Sequence, residues 1–203
     1  SRLLVHRDIH DVFIEKFVER SHEAYQPGDP LNPATTLGPL VTRAHQQGVL
    51  AKIKQGCQEG AQLVQGGCEP CGMEPGAYVS PTLFTGVNQS MGIARDEIFG
   101  PVASVISFDD EAEAVAIAND SIYGLAASVW TQNLKTAHRM VRAIEAGVIW
   151  VNCFGDGDMT QPFGGYKQSG FGGRDNAIHA HDQYTQLKTI WVDLSDTAGT
   201  AIE

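Results

Sequence analysis

The chain has 203 residues, 42% of them hydrophobic, with 24 acidic against 14 basic side chains and a formal charge of -10. That length and apolar content suit one globular body with a real core, while the negative field repels phosphate backbones and excludes nucleic acid as an expected partner. No apolar run approaches the ~20 residues that span a bilayer, and residues 1–5 are too short for a signal-peptide core, so a soluble, cytoplasmic protein without a membrane partner is expected.

In chain order, Arg2–His6 is a short apolar run fit for a strand. Asp11 is expected to cap a helix whose Phe13, Phe17 and Ala24, with Ile14, Val18 and Tyr25, make one apolar face. Pro27, Pro30, Pro33 and Pro39, with Gly28 and Gly38, remove donors and fix dihedrals too often for regular structure, which makes residues 26–39 a loop. Thr42 is expected to cap a second helix in which Val49, Ile53 and Cys57 fall four apart with Leu50 beside them, until glycine-rich residues 66–76 break the pattern. Cys68-Glu69-Pro70-Cys71 has redox or zinc spacing, but neither a second pair nor a His pair completes a tetrahedral site. Four cysteines are also too sparse for a disulfide framework, so a plain loop pair and no metal are expected.

Further on, Val102–Phe108 reads as a buried strand, residues 112–118 as a short helix and 126–131 as another strand. Leu134, Ala137, Val141 and Ile144 mark a helix stripe stopped by Gly147, and Val148–Val151 follows as a β-branched strand. Alternating strand and helix over residues 102–151 implies an α/β fold, a parallel sheet flanked by helices. Residues 183–194 are extended in character, with Tyr184, Ile190, Trp191 and Val192, and no helix crosses the chain back, so this strand is expected to pair elsewhere, another subunit being the candidate partner. The organisation expected is an α/β body over residues 1–180 with a glycine-rich loop zone at 155–173, then a tail over 181–203.

The chemistry concentrates in two segments. Asp96-Glu97-Ile98-Phe99-Gly100-Pro101-Val102 sets a carboxylate and an aromatic two apart before a Gly-Pro turn that launches a strand. A carboxylate on a rigid turn can accept both hydrogen bonds of a ribose diol, and the ring offers an apolar face to a flat heterocycle; on spacing alone, a solvated turn residue and an ordinary core aromatic describe the pair better. Pro162-Phe163-Gly164-Gly165-Tyr166-Lys167-Gln168-Ser169-Gly170 is the second segment, its glycines permitting close approaches or simply a flexible loop. Neither the P-loop pattern nor a complete Gly-x-Gly-x-x-Gly occurs, so the chain carries no phosphate cradle of its own.

Taken in order, Glu-Ile-Phe-Gly-Pro at 97–101, Asn119-Asp120-Ser121 with Tyr123-Gly124-Leu125, Val151-Asn152, and Pro-Phe-Gly-Gly-x-Lys-x-Ser-Gly at 162–170 resemble the C-terminal part of the NAD(P)-dependent aldehyde dehydrogenases. Ser1-Arg2 and its apolar strand resemble the segment just downstream of that family's nucleophile. The resemblance implies an incomplete catalytic domain plus an oligomerisation strand. It also implies oxidation of an aldehyde to a carboxylic acid with NAD or NADP, through thiolate attack, hydride transfer and thioester hydrolysis. On this resemblance Glu97 binds the nicotinamide ribose hydroxyls, Phe99 positions the nicotinamide ring, Leu125 approaches it, and Phe163 lines the aldehyde tunnel. The nucleophilic cysteine, general base and dinucleotide fold then lie before Ser1, so these residues supply no catalytic nucleophile and are expected to be inactive alone. Cys153, with no His or Lys beside it in sequence, is expected to be a structural or tunnel-lining thiol.

Within the family, the Asp156-Gly157-Asp158-Met159-Thr160 loop, His179-Ala180, and Leu187-Lys188-Thr189-Ile190-Trp191 resemble enzymes of putrescine breakdown that oxidise γ-(γ-glutamylamino)butanal or related aminoaldehydes. Asp156 and Asp158 then either meet a cationic or polar substrate end or cap the loop as Asx turns. Gly172-Gly173-Arg174-Asp175 departs from the family by one extra glycine. The resemblance also places Arg174 and Gln186 near a subunit contact and makes the intact enzyme a homo-oligomer, a dimer or tetramer. The competing reading is a non-catalytic assembly module that keeps the fold and tail strand, and a titration with NAD+ separates the two.

Overall fold

The computed structural model describes residues 1–73, 76–172 and 175–194; Arg174, one of the expected contact residues, and the end of the tail lie outside them. Two compact units are present, Ser1–Ile122 with Asn133–Glu145, and Tyr123–Gln132 with Ala146–Glu203.

The first unit is built on a mixed sheet of β1 (Arg2–His6), β2 (Gln62–Gln65), β3 (Thr82–Thr85) and β4 (Val102–Phe108), in the order β1-β4-β3-β2. β1 and β3 run parallel to β4, with Arg2 opposite Ser104 and Thr82 opposite Val102, and β2 closes one edge antiparallel to β3. β3 shows how the layers arise, because consecutive side chains of a strand point to opposite faces. Phe84, fully buried, packs with Val49 and Ile53 of α2 (Arg43–Gln58), while Leu83, also fully buried, packs with Val5, Val105 and the Phe13 and Phe17 rings of α1 (His10–Ala24). The sheet is therefore covered by α1 on one face and by α2 on the other, where Ile93, Ala94 and Ile117 join the same cluster. Gln46, buried among apolar neighbours, keeps its amide satisfied by donating to the Tyr78 carbonyl at 2.6 Å. The short α3 (Gly92–Arg95) precedes β4, and α4 (Glu111–Asn119) follows it. α5 (Leu134–Ala143) returns to this unit, where Arg139 and Thr136 both donate to Glu111.

Thr42 caps α2 as expected, its Oγ1 accepting from the His45 amide at 3.1 Å. Asp11 does not cap α1. A 3-10 turn at Arg7–Ile9 feeds the helix directly, so Asp11 falls in the first turn, where its charge complements the helix N-terminus, and bonds the His10 ring at 2.8 Å.

The second unit holds β5 (Tyr123–Gly124), β6 (Ala126–Val129), β7 (Val148–Val151) and β8 (Tyr166–Lys167). β6 and β7 are parallel, Ala126 opposite Val148 through Val129 opposite Val151, and β5 pairs antiparallel with β8. The parallel pairing expected over residues 102–151 is thus present only in part: β6 and β7 share no ladder with β4. The neighbour that completes β4 is β1, from the far end of the sequence, and local alternation cannot reveal a partner so distant. The expected strand over 183–194 takes no such form within the chain: Ile178–Gln183 make a 3-10 helix, and residues 185–194 are exposed without regular secondary structure. No helix among the described residues is long and apolar enough to cross a membrane, and among them no three His, Cys, Asp or Glu side chains converge as a metal site.

Candidate active site

In the first unit, the turn from α3 to β4 sorts its residues by side. Ile98 packs onto the core, and Gly100 lies so close to α2 that a Cβ there would sit 2.8 Å from both methyls of the buried Val49. Pro101 accepts from the Thr82 amide at 2.8 Å and Gly100 from the Val102 amide at 2.7 Å, which locks the entry to β4. Between these anchors Glu97 and Phe99 face outward. Phe99 is 71% exposed and has φ of +54°, a left-handed conformation that a bulky residue adopts at a cost of about 1–3 kcal/mol. The Glu97 carboxylate makes no hydrogen bond among the described residues, and the preceding Asp96 takes Lys52 Nζ at 2.5 Å. Ser1 donates to the Val102 carbonyl at 3.1 Å and accepts from the Ser104 amide at 2.9 Å. Ser1 is thus held against the start of β4, the strand that the Glu97 turn launches.

Arg95, at the end of α3, grips Asp120 through two 2.8 Å contacts, and Gln89 donates to the same carboxylate. These hydrogen bonds, Arg95 first, hold the Asp120 carboxyl below its ordinary value. The Asn-Asp-Ser motif therefore steadies the segment leading into the Glu97 turn.

In the second unit, residues 162–172 fold on their glycines. Gly172 donates to the Gly165 carbonyl at 2.8 Å, the Gly124 amide donates to Ser169 Oγ at 3.1 Å, and Gly147 donates to the Gly124 carbonyl at 3.0 Å. A Cβ on Gly147 would overlap the Gly164 carbonyl oxygen, so the start of β7 and the Pro-Phe-Gly-Gly loop touch backbone to backbone. Phe163 is left 38% exposed, and Leu125, between β5 and β6, 42% exposed. Asn152 has φ of +56° and clasps Thr131 twice, its Oδ1 accepting from the Thr131 amide at 2.8 Å and its Nδ2 donating to the Thr131 carbonyl at 2.9 Å. Cys153 is half-buried, and its carbonyl accepts from Ser128 Oγ at 2.7 Å.

The two aspartates of the next loop differ. Asp158 Oδ1 accepts from the Thr160 hydroxyl at 2.5 Å and the Thr160 amide at 2.8 Å, and these bonds hold its carboxyl below the ordinary value. Asp156 is exposed, its side chain takes no hydrogen bond among the described residues, and its carbonyl accepts from Trp150 Nε1 at 2.6 Å. The Trp150 ring lies 5.1 Å from that of Phe154, itself 73% exposed.

Glu97 and Phe99 therefore share one turn of the first unit, while Leu125, Asp156, Asp158 and Phe163 belong to the second. In the sequence, Asn152 is only a motif member and Gly147 only a helix stop. An Asn followed by a loop, and a Gly directly before a strand, were the available signals.

The chain matches a family model described as the aldehyde dehydrogenase family over residues 1–190. It is 49% identical to the aminoacetaldehyde dehydrogenase of Pseudomonas aeruginosa, covering 96% of this chain and 38% of that protein. It is 48% identical to the betaine aldehyde dehydrogenase of Sinorhizobium fredii, covering 96% of this chain and 40% of the relative. Among solved structures, the P. syringae AldA indole-3-acetaldehyde dehydrogenase in complex with NAD+ and IAA superposes with a TM-score of 0.90 at 52% identity, covering 96% of this chain and 39% of that one. The Mycobacterium tuberculosis aldehyde dehydrogenase complexed with NAD+ gives 0.89 at 37% identity, covering 98% and 40%. The chain spans about two fifths of the length of the relatives it matches.

Proposed function

The chain belongs to the aldehyde dehydrogenase family, and from that membership we propose that it forms the part of an NAD(P)+-dependent aldehyde dehydrogenase that orients the nicotinamide riboside and lines the aldehyde path. The observation that carries this reading is the Glu97 turn. Strain at Phe99 holds an aromatic face in the open, beside a carboxylate left unpaired, and both are what a ribose diol and a flat ring require. The described residues fit that group without supplying a phosphate cradle. NAD(P)+, when bound, accepts the hydride that leaves the substrate carbon. Glu97 accepts from the ribose hydroxyls, Phe99 limits the ring's tilt, Leu125 approaches it, and Phe163 lines the aldehyde path. The bonds of Ser1 to the start of β4, the strand that follows the Glu97 turn, support the reading, since the resemblance sets the family's nucleophile just ahead of Ser1.

The substrate is an aminoaldehyde. Supporting this are the names of the two relatives, aminoacetaldehyde and betaine aldehyde dehydrogenase, and the exposed Asp156, whose carbonyl accepts from Trp150 next to the Phe154 ring, with Asp158 as a second acid in the same loop. The enzyme is cytoplasmic and a homo-oligomer, in which residues 181–203 form the assembly tail. Gln186 and the exposed Leu187, Ile190, Trp191 and Val192 are available for a partner copy's sheet.

A kinetic panel on the intact enzyme tests the substrate class. Aminoaldehydes are expected to give kcat/KM at least about tenfold above aliphatic aldehydes of equal length, the scale of one charge pair in a partly desolvated site. Equal values would contradict it. The 203 residues alone are expected to form no NADH from any aldehyde, and turnover by them would require a nucleophile within this chain.

A further inference from the structure

Two polar residues on one flank of α2 and its C-cap, Glu59, do something that a solvated helix face does not. Lys52, Gln55 and Glu59 fall three and four apart, so they stack along the helix. Lys52 Nζ donates to Gln55 Oε1 at 3.1 Å and to Asp96 Oδ2 at 2.5 Å; Gln55 Nε2 donates to Glu59 Oε1 at 2.7 Å; and Glu59 Oε2 accepts from the Gly92 amide at 2.7 Å. Gly92 is the first residue of α3 and Asp96 its C-cap, so the chain of bonds holds both ends of that helix. α3 needs the outside help. Its N-cap, Met91, offers no side-chain bond, and a four-residue helix has little stability of its own. A Cβ at position 92 would lie 2.4 Å from the Gln55 amide nitrogen, so a side chain there pushes Gln55 out of the strap.

We propose that Lys52, Gln55 and Glu59 are positioning residues for the nicotinamide half of the site, acting through α3 to fix the turn that presents Glu97 and Phe99; this rests on the reading of those two residues given above. Two effects follow from the geometry. The strap sets the angle at which the chain leaves α3, one residue before Glu97. It also ties the Asp96 carboxylate to the Lys52 ammonium, which fixes the residue from which the Glu97 backbone continues. The apolar anchors at Gly100 and Ile98 fix the far side of the turn, and the strap fixes the near side.

The test is binding of NAD+ to the intact enzyme carrying Lys52→Met, Lys52→Arg, Gly92→Ala or Glu97→Gln, measured by calorimetry, with steady-state kinetics on the same samples. Lys52 is 39% exposed on its side chain, so its replacement does not threaten the core. The expected result is NAD+ affinity weakened roughly fivefold by Lys52→Met and by Gly92→Ala, with kcat reduced, aldehyde KM unchanged and Lys52→Arg close to the parent. A purely stabilising role would lower the melting temperature without dividing the two Michaelis constants in this way. NAD+ affinity within twofold of the parent for both strap variants, while Glu97→Gln weakens it, overturns the strap and leaves the Glu97 reading standing. No effect from Glu97→Gln overturns both.

Discussion

Gly147→Ala is expected to destabilise the second unit by about 3 kcal/mol or more, at the upper end of what overpacking costs, because the added methyl meets backbone atoms of Gly164 and Gly165 rather than a movable side chain. The Gly164 carbonyl cannot swing aside like a side chain: Gly165 accepts from Gly172, and Gly147 donates to Gly124 at the head of β7. Either β7 slides along β6 or the loop carrying Phe163 lifts, and a one-residue slide would invert the facing of Val148–Val151. Gly48→Ala is the matched control. Gly48 lies inside α2 with nothing within 4 Å of a Cβ and no positive φ, so the same chemical change is expected to stabilise by about 0.5–1 kcal/mol. Thermal denaturation of the two variants side by side checks the contrast, and a Gly147→Ala melting curve that overlays the parent would show that the loop has room the geometry denies.

Phe99→Asn is expected to slow hydride transfer in the intact enzyme by roughly tenfold to a hundredfold while leaving stability equal or slightly higher. Asn tolerates the left-handed conformation better than an aromatic, so the turn keeps its shape and sheds strain. What disappears is the ring, which contributes little to the fold because 71% of it faces outward. A stabilised but slower enzyme is the signature of strain retained for function, and single-turnover NADH formation reads the chemical step directly. Loss of stability with an unchanged rate would instead make Phe99 a structural residue.

Much of this was legible in the sequence where a residue's own chemistry forces the outcome. Thr42 announced the start of α2, four prolines announced the loop before it, and the Gly-Pro pair announced the turn into β4. β3 was invisible because four consecutive buried residues, Thr82-Leu83-Phe84-Thr85, show no alternation when both faces of the strand are covered. The partner of β4 was invisible because β1 lies about a hundred residues away, as the Arg2 to Ser104 register shows. At the site, the motifs that carry Glu97, Phe99 and Phe163 could be quoted from the sequence, but the roles around them could not. Lys52, Gln55 and Glu59 have the composition of any solvated helix face, and the groups they bind, Asp96 and Gly92, are 44 and 33 residues distant. Asp156 and Asp158 looked alike until Thr160 was seen to occupy only the second.

The central claim is that the Glu97 turn receives the nicotinamide riboside. Calorimetric titration of NAD+ into the intact enzyme and its Glu97→Gln variant tests it most directly, because the amide keeps the shape and volume of the carboxylate while replacing one acceptor oxygen with a donor. Two charge-assisted hydrogen bonds are at stake, so binding is expected to weaken by about tenfold to a hundredfold, with the melting temperature of the unliganded protein unchanged. Equal affinity in the two proteins would contradict the assignment and leave Glu97 a solvated turn residue.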